Sequence, residues 1–136
     1  MVVGMTNDRQ EVADLVTRLY ALLDEGRYDE LASVYAADVE LEFPSAHMHG
    51  LDEAVAMART RGGRYDRAQH ITTDLLVDVD GDRASVRSNH WAIHVHAGGR
   101  FEAGLVHRFD AARTPDGWRL TRGRADVVWR AGADVR

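Results

Sequence analysis

The chain has 136 residues, 22 acidic and 17 basic, for a formal net charge of −5, and it carries no cysteine. This length suits one domain spanning residues 1–136, with a core that needs no covalent staple; the missing cysteine removes disulfides, zinc-thiolate centres and thiol nucleophiles and points to a reducing cytoplasm. Every basic residue is arginine, which removes Schiff-base and phosphate-loop lysines, and the acidic balance argues against a nucleic-acid partner.

The leading run Met1-Val2-Val3-Gly4-Met5 is too short for a secretory leader, and no later stretch has the length of a membrane span. Asn7, with Asp8 next and Gln10 three residues on, reads as a capping box. Val12, Leu15, Val16, Leu19, Tyr20, Leu22 and Leu23 follow at helical spacing until Gly26, so an amphipathic helix is predicted. A second short helix over 28–37 carries Leu31, Val34 and Tyr35. Val39 to Phe43 alternates as a strand ending at Pro44, and 45–50 reads as a loop holding His47 and His49. Residues 51–61 form the predicted third helix, stopped by Gly62-Gly63.

From about Gln69 the pattern is β to the end of the chain. An Asp80-Gly81-Asp82 turn joins 75–79 to 84–96, Gly98-Gly99 leads into 101–109, and Pro115-Asp116-Gly117 leads into 118–129. Three N-terminal helices followed by long antiparallel strands predict an α+β domain whose helices cover one face of a strongly curved sheet. Such a sheet encloses a cone, a shape that favours a small-molecule site.

The histidines locate that site. His90, His94 and His96 fall on one face of a strand by period two, and His70 opens the preceding strand, placed to meet them across the hairpin. Surface imidazoles are common, but four so arranged point to a titratable pocket wall. Asp24 lies four residues beyond Tyr20 on the line begun by Val16, so its carboxylate is expected beside that wall. There it could fix the tautomer of His70 or His96 and raise its basicity for acid-base work. Tyr20 is the candidate donor to a carbonyl oxygen, although a core tyrosine usually has its hydroxyl satisfied elsewhere. Phe43, His90, Tyr65 and Met57 are the expected substrate contacts. His94-x-His96 could also chelate a metal with His90, His70 or Glu102 as third ligand, a reading ranked below a metal-free and cofactor-free site. Trp91, Trp118 and Trp129 read as core or interface residues.

Tyr28-Asp29-Glu30-Leu31, Tyr35-Ala36-Ala37-Asp38, Val79-Asp80-Gly81-Asp82-Arg83-Ala84 and Asp116-Gly117-Trp118-Arg119-Leu120, in this order, resemble the SnoaL-like branch of the NTF2-like superfamily over residues 7–130. Arg67-Ala68-Gln69-His70 and Asp126-Val127-Val128-Trp129 are most similar to the scytalone dehydratase group. That resemblance implies a catalytic pair of His70 and Asp24, with His96 near the second catalytic histidine. Leu23 and Phe43 stand where that group has two tyrosines, which implies a greasier pocket and a substrate other than scytalone. Phe43 also occupies the place of the aspartate base in the superfamily's ketosteroid isomerases.

The expectation is a dehydratase, or related cyclase or isomerase, of a hydrophobic polyketide- or steroid-like carbonyl compound. His70 would remove the proton, Asp24 would orient it, His96 would protonate the leaving hydroxyl and Tyr20 would hold the carbonyl. The alternative is a noncatalytic binder of a hydrophobic small molecule in the same cone. The open sheet face is expected to form a homodimer or homotrimer, as the superfamily resemblance implies.

Overall fold

In the computed structural model, which describes residues 7–135, the Asn7 side chain caps helix α1 (Asp8–Asp24) by accepting from the Gln10 backbone at 3.2 Å. Gln10 does not reciprocate, since its amide turns to Asp14 Oδ1 at 2.7 Å. Val12, Leu15, Val16, Leu19, Tyr20 and Leu22 are buried as their spacing predicts, and Leu23 is half-buried. The reading of Met1 to Met5 lies outside the described residues, among which no helix is long and apolar enough to cross a membrane.

The predicted second helix is cut short. Residues Tyr28–Ser33 form a 3-10 helix, and the chain then enters strand β1 (Tyr35–Phe43). Tyr35 pairs in parallel with Leu120, a distant partner that converts this segment to extended structure. The expected loop at 45–50 is also a strand, β2 (Ala46–His49), which hairpins back on β1. Helix α2 (Leu51–Gly62) follows, so among the described residues two α-helices and one 3-10 helix stand in place of the three N-terminal helices expected. Four long strands complete the chain: β3 (Arg67–Asp80), β4 (Arg83–His96), β5 (Gly99–Thr114) and β6 (Gly117–Ala131).

These make one six-stranded sheet in the order β2-β1-β6-β5-β4-β3. It is mixed and not purely antiparallel, because β1 runs parallel to β6. The fold class is α+β with α1 laid over the inner face of β3. The core runs from α1 through Leu31, Val39 and Leu41 to Val86, Phe109, Trp118 and Leu120.

A bulge in β3 lets one strand serve two purposes. His70 and Thr72 face inward by even parity, whereas Val77 and Val79 turn toward the core by odd parity. The register slips between Thr73 and Leu76, where Asp74 takes φ 55° and accepts from Asn89 Nδ2 at 2.9 Å. One inserted residue thus reverses the alternation. Strand β4 pairs with β3 without a break across Asn89 to Val95, so Ser88, His90, Ala92 and His94 all face inward.

Candidate active site

Asp24 ends α1, and its carboxylate grips His70 at two points. Oδ1 lies 2.5 Å from His70 Nδ1, and Oδ2 accepts the His70 backbone N–H at 3.0 Å. A carboxylate offers no proton here, so Nδ1 is the donor and Nε2 carries the free lone pair. The His70 side chain remains 16% exposed and that of Asp24 23%, which leaves the pair reachable from solvent.

Behind the pair lies a stack of rings. Tyr20 packs on His90 with centroids 4.2 Å apart and on His70 at 5.1 Å, and His90 stacks on His107 at 4.4 Å. The Tyr20 hydroxyl is hydrogen-bonded to His107 Nδ1 at 2.7 Å, and Thr72 Oγ1 lies 3.2 Å from His90 Nδ1. Burial pushes the Tyr20 hydroxyl well above the usual phenol range, helped by Tyr35 and Asp24. Tyr20 is therefore a neutral wall whose hydroxyl is already engaged.

The inner imidazoles are held neutral. Burial, then the facing His107, His70 and His94, pushes His90 down to about 2. Burial and His70 push His107 down to about 3, and burial, His70 and Arg61 push His94 down to about 4. The His70 ring has the Asp24 carboxylate hydrogen-bonded against it, while the pull of Asp134 on His94 is too small to offset burial. His94 stands edge-on to His70 at 5.6 Å, under the Tyr65 ring at 4.3 Å, and its Nδ1 has no partner among the described residues.

The remaining expected contacts divide. Phe43 reaches the stack, 6.1 Å from the His107 ring, and the Tyr65 hydroxyl donates to Asp134 Oδ1 at 2.6 Å. Met57 is half-buried against the apolar core. His96 is not brought to Asp24: Nε2 donates to the Ala133 carbonyl at 2.7 Å, while Nδ1 accepts from the Gly98 backbone at 3.1 Å. It has the inward parity of His90 and His94 but sits at the strand's end, and both its nitrogens are committed. The His94-x-His96 metal reading fails on the same geometry, since no cluster of ligand atoms forms there among the described residues.

His107 escaped the sequence reading, although the signal was present. Arg108 and Asp110 alternate with His107, Phe109 and Ala111, all three buried, so period two places His107 on the apolar face. Trp118 is a core residue, 4% exposed, whereas Trp91 and Trp129 lie on the outer face at 43% and 44%.

Comparison with known proteins places these features in a family. The family model for the SnoaL-like domain matches residues 5–124. The uncharacterized protein Rv2910c of Mycobacterium tuberculosis is 30% identical over 127 residues, covering 88% of this chain and 85% of its own. A provisionally named scytalone dehydratase from Novosphingobium aromaticivorans superposes with a TM-score of 0.78 at 21% identity, covering 92% of this chain and 87% of that one. The hexachlorocyclohexane dehydrochlorinase LinA-type3 of Novosphingobium barchaimii gives 0.80 at 16% identity and covers 91% of each chain. At those identities the two structures speak for the fold.

Proposed function

Since the chain belongs to the SnoaL-like domain family, we propose that its Asp24–His70 pair catalyses β-elimination from a hydrophobic carbonyl compound, as a dehydratase without a resident cofactor. The observation that carries this reading is the two-point grip of Asp24 on His70, which fixes a tautomer with Nε2 free. A site that only binds a ligand has no need of such an oriented base.

The steps follow from the charge each group can hold. His70 Nε2 takes the proton alpha to the carbonyl, and the electron pair moves to the carbonyl as an enolate. The enolate then expels the β-hydroxyl, which leaves as water with the proton from His70. One residue serves as base and then acid, because the buried His90, His94 and His107 resist protonation. This moves the acid role expected of His96 to His70. Tyr20 acts as a positioning residue, holding His90 and His70 by stacking. Phe43 makes the neighbouring wall apolar, which favours a ring-bearing substrate.

The names of two fold neighbours, a provisional dehydratase and a dehydrochlorinase, both denote eliminations and support the same reaction class. The test is a panel of aromatic and alicyclic β-hydroxy ketones in deuterated water, followed by enone absorbance and by NMR of the α-carbon. Enone formation or α-deuterium uptake that disappears in His70→Gln supports the proposal. Exchange that is absent across the panel, or equal in His70→Gln, counts against it.

The absence of cysteine supports action in a reducing cytoplasm. Self-association as a dimer or trimer is proposed on the outer face, where exposed Ile71, Trp91 and Trp129 stand in register across β3, β4 and β6 around Gly104. Sedimentation of Trp91→Arg as a smaller species than the parent supports this, and identical sedimentation opposes it.

A further inference from the structure

A second group of ligand-type side chains lies on the opposite surface of the sheet, at its β2 edge. Glu40, His47 and His49 each bring one donor atom to within 4.8 Å of the other two. Strand alternation creates the group: Val39, Leu41 and Met48 are buried in the core, so the residues between them point outward. Antiparallel register then sets Glu40 against His49 and Glu42 against His47. The His47 and His49 rings sit 4.4 Å apart, and His49 Nδ1 is 3.3 Å from Glu40 Oε1.

We infer that Glu40, His47 and His49 bind one divalent transition-metal ion of the zinc class. In a tetrahedral shell with bonds of about 2.0–2.1 Å, neighbouring ligand atoms stand about 3.3–3.4 Å apart. The Glu40–His49 separation of 3.3 Å already has that value. Two imidazoles with one carboxylate suit zinc, copper or nickel, whereas calcium and magnesium call for shells of oxygen.

The surroundings hold the ligands in place. His49 donates its backbone N–H to Glu53 Oε1 at 3.2 Å, and Gly50 donates to the Val39 carbonyl at 2.7 Å, which anchors the end of β2 on β1. Glu42, the other outward carboxylate of β1, is engaged by Arg122 at 3.2 Å. Glu40 is thereby the carboxylate available beside the two rings. Three protein ligands leave a fourth position for water, so the ion ties the edge strand to its neighbour while staying open on the solvent side. His49 and Glu40 side chains are 62% and 47% exposed, so an ion reaches them without opening the core.

The experiment is zinc titration of chelator-stripped full-length protein by calorimetry, with cobalt(II) absorbance as a readout of geometry. One equivalent of zinc with micromolar affinity is expected, together with the intense visible bands of low-coordinate cobalt. His47→Ala and His49→Gln each weaken binding at least about tenfold, while His90→Gln leaves it intact and so separates this site from the inner imidazoles. His47 and His49 are on the surface and His90 is buried, so unchanged circular dichroism is the check that all three variants fold. No stoichiometric zinc binding, binding that survives His47→Ala with His49→Gln, or binding lost only in His90→Gln each overturns the assignment, leaving Glu40 and His49 as a surface ion pair.

Discussion

Asp24 fixes both the ring and the backbone of His70, with Oδ1 on Nδ1 at 2.5 Å and Oδ2 on the amide nitrogen at 3.0 Å. The last turn of a helix is an unfavourable place for a carboxylate, because carbonyl ends already concentrate negative charge there. The contact with His70 is what offsets that cost. It also joins the end of α1 to β3, so one residue connects helix docking to the chemistry.

Asp24→Asn tests the chemical half of this connection. Asparagine can still accept the His70 amide but no longer balances charge on the ring, and its own N–H can face Nδ1 and reverse the tautomer. Turnover of a responsive β-hydroxy ketone is expected to fall by about 10²–10⁴-fold, with KM nearly unchanged. Steady-state kinetics beside a thermal melt checks it; a large KM change with kcat preserved would assign Asp24 to binding.

The neutral imidazoles predict how stability depends on pH. His90, His94 and His107 titrate at about 2, 4 and 3 in the fold, against 6.5 ordinarily. Between those values the unfolded chain binds protons that the folded chain refuses. Unfolding free energy therefore rises with pH, is fully present above about 6.5, and is lost progressively as pH falls from there through 4, where His94 stops contributing, toward 2, where His107 and then His90 do. Three such groups give a slope of up to about 4 kcal/mol per pH unit. Urea unfolding at pH 8, 6 and 5 should show the midpoint dropping, and His90→Gln should flatten the dependence by about one third. A midpoint constant from pH 8 to 5 would contradict the burial-driven shifts.

Tyr20→Phe separates positioning from proton transfer. Loss of the hydroxyl leaves His107 Nδ1 buried without its partner, at a cost of about 1–3 kcal/mol. Because the ring still stacks on His90 and His70, activity should decline less than in Asp24→Asn. Comparing the melting temperature with kcat decides this: a stable but inactive Tyr20→Phe would return the hydroxyl to a direct role with substrate.

Local rules reached the parts of this molecule that local forces decide. The α1 stripe and its Asn7 cap were readable because cap and period act within a few residues. The inward parity of His90 and His94 was readable because β4 pairs with β3 unbroken across that stretch. Non-local pairing decided the rest. Tyr35-Ala36-Ala37-Asp38 favours a helix by composition, but pairing with β6 on both sides of it, Tyr35 with Leu120 and Glu40 with Arg122, holds it extended. Pro44 marked the end of β1 correctly, yet Ala46 to His49 pairs back immediately and turns two loop histidines into neighbours on one face. His96 shares its parity with His94, but Ala133 and Gly98 capture it. Period two tells which face a residue takes and not how far along the strand the covering helix extends.

The bulge at Asp74 offers the sharpest test of how the sheet serves both core and site. Upstream of it His70 and Thr72 face inward, and downstream Val77 and Val79 do, although the two sets differ in parity. Deleting Asp74 would restore simple alternation and force one set outward. Either the apolar pair leaves the core or His70 leaves Asp24, so the deletion should cost several kcal/mol or prevent folding. Asp74→Gly keeps the extra residue and suits its φ of 55° at the expense of the Asn89 hydrogen bond. That variant should fold with stability within about 1 kcal/mol of the parent. Circular dichroism and urea melts of the two variants give the comparison, and a deletion as stable and active as Asp74→Gly would show that the inserted residue does not set the register of the site.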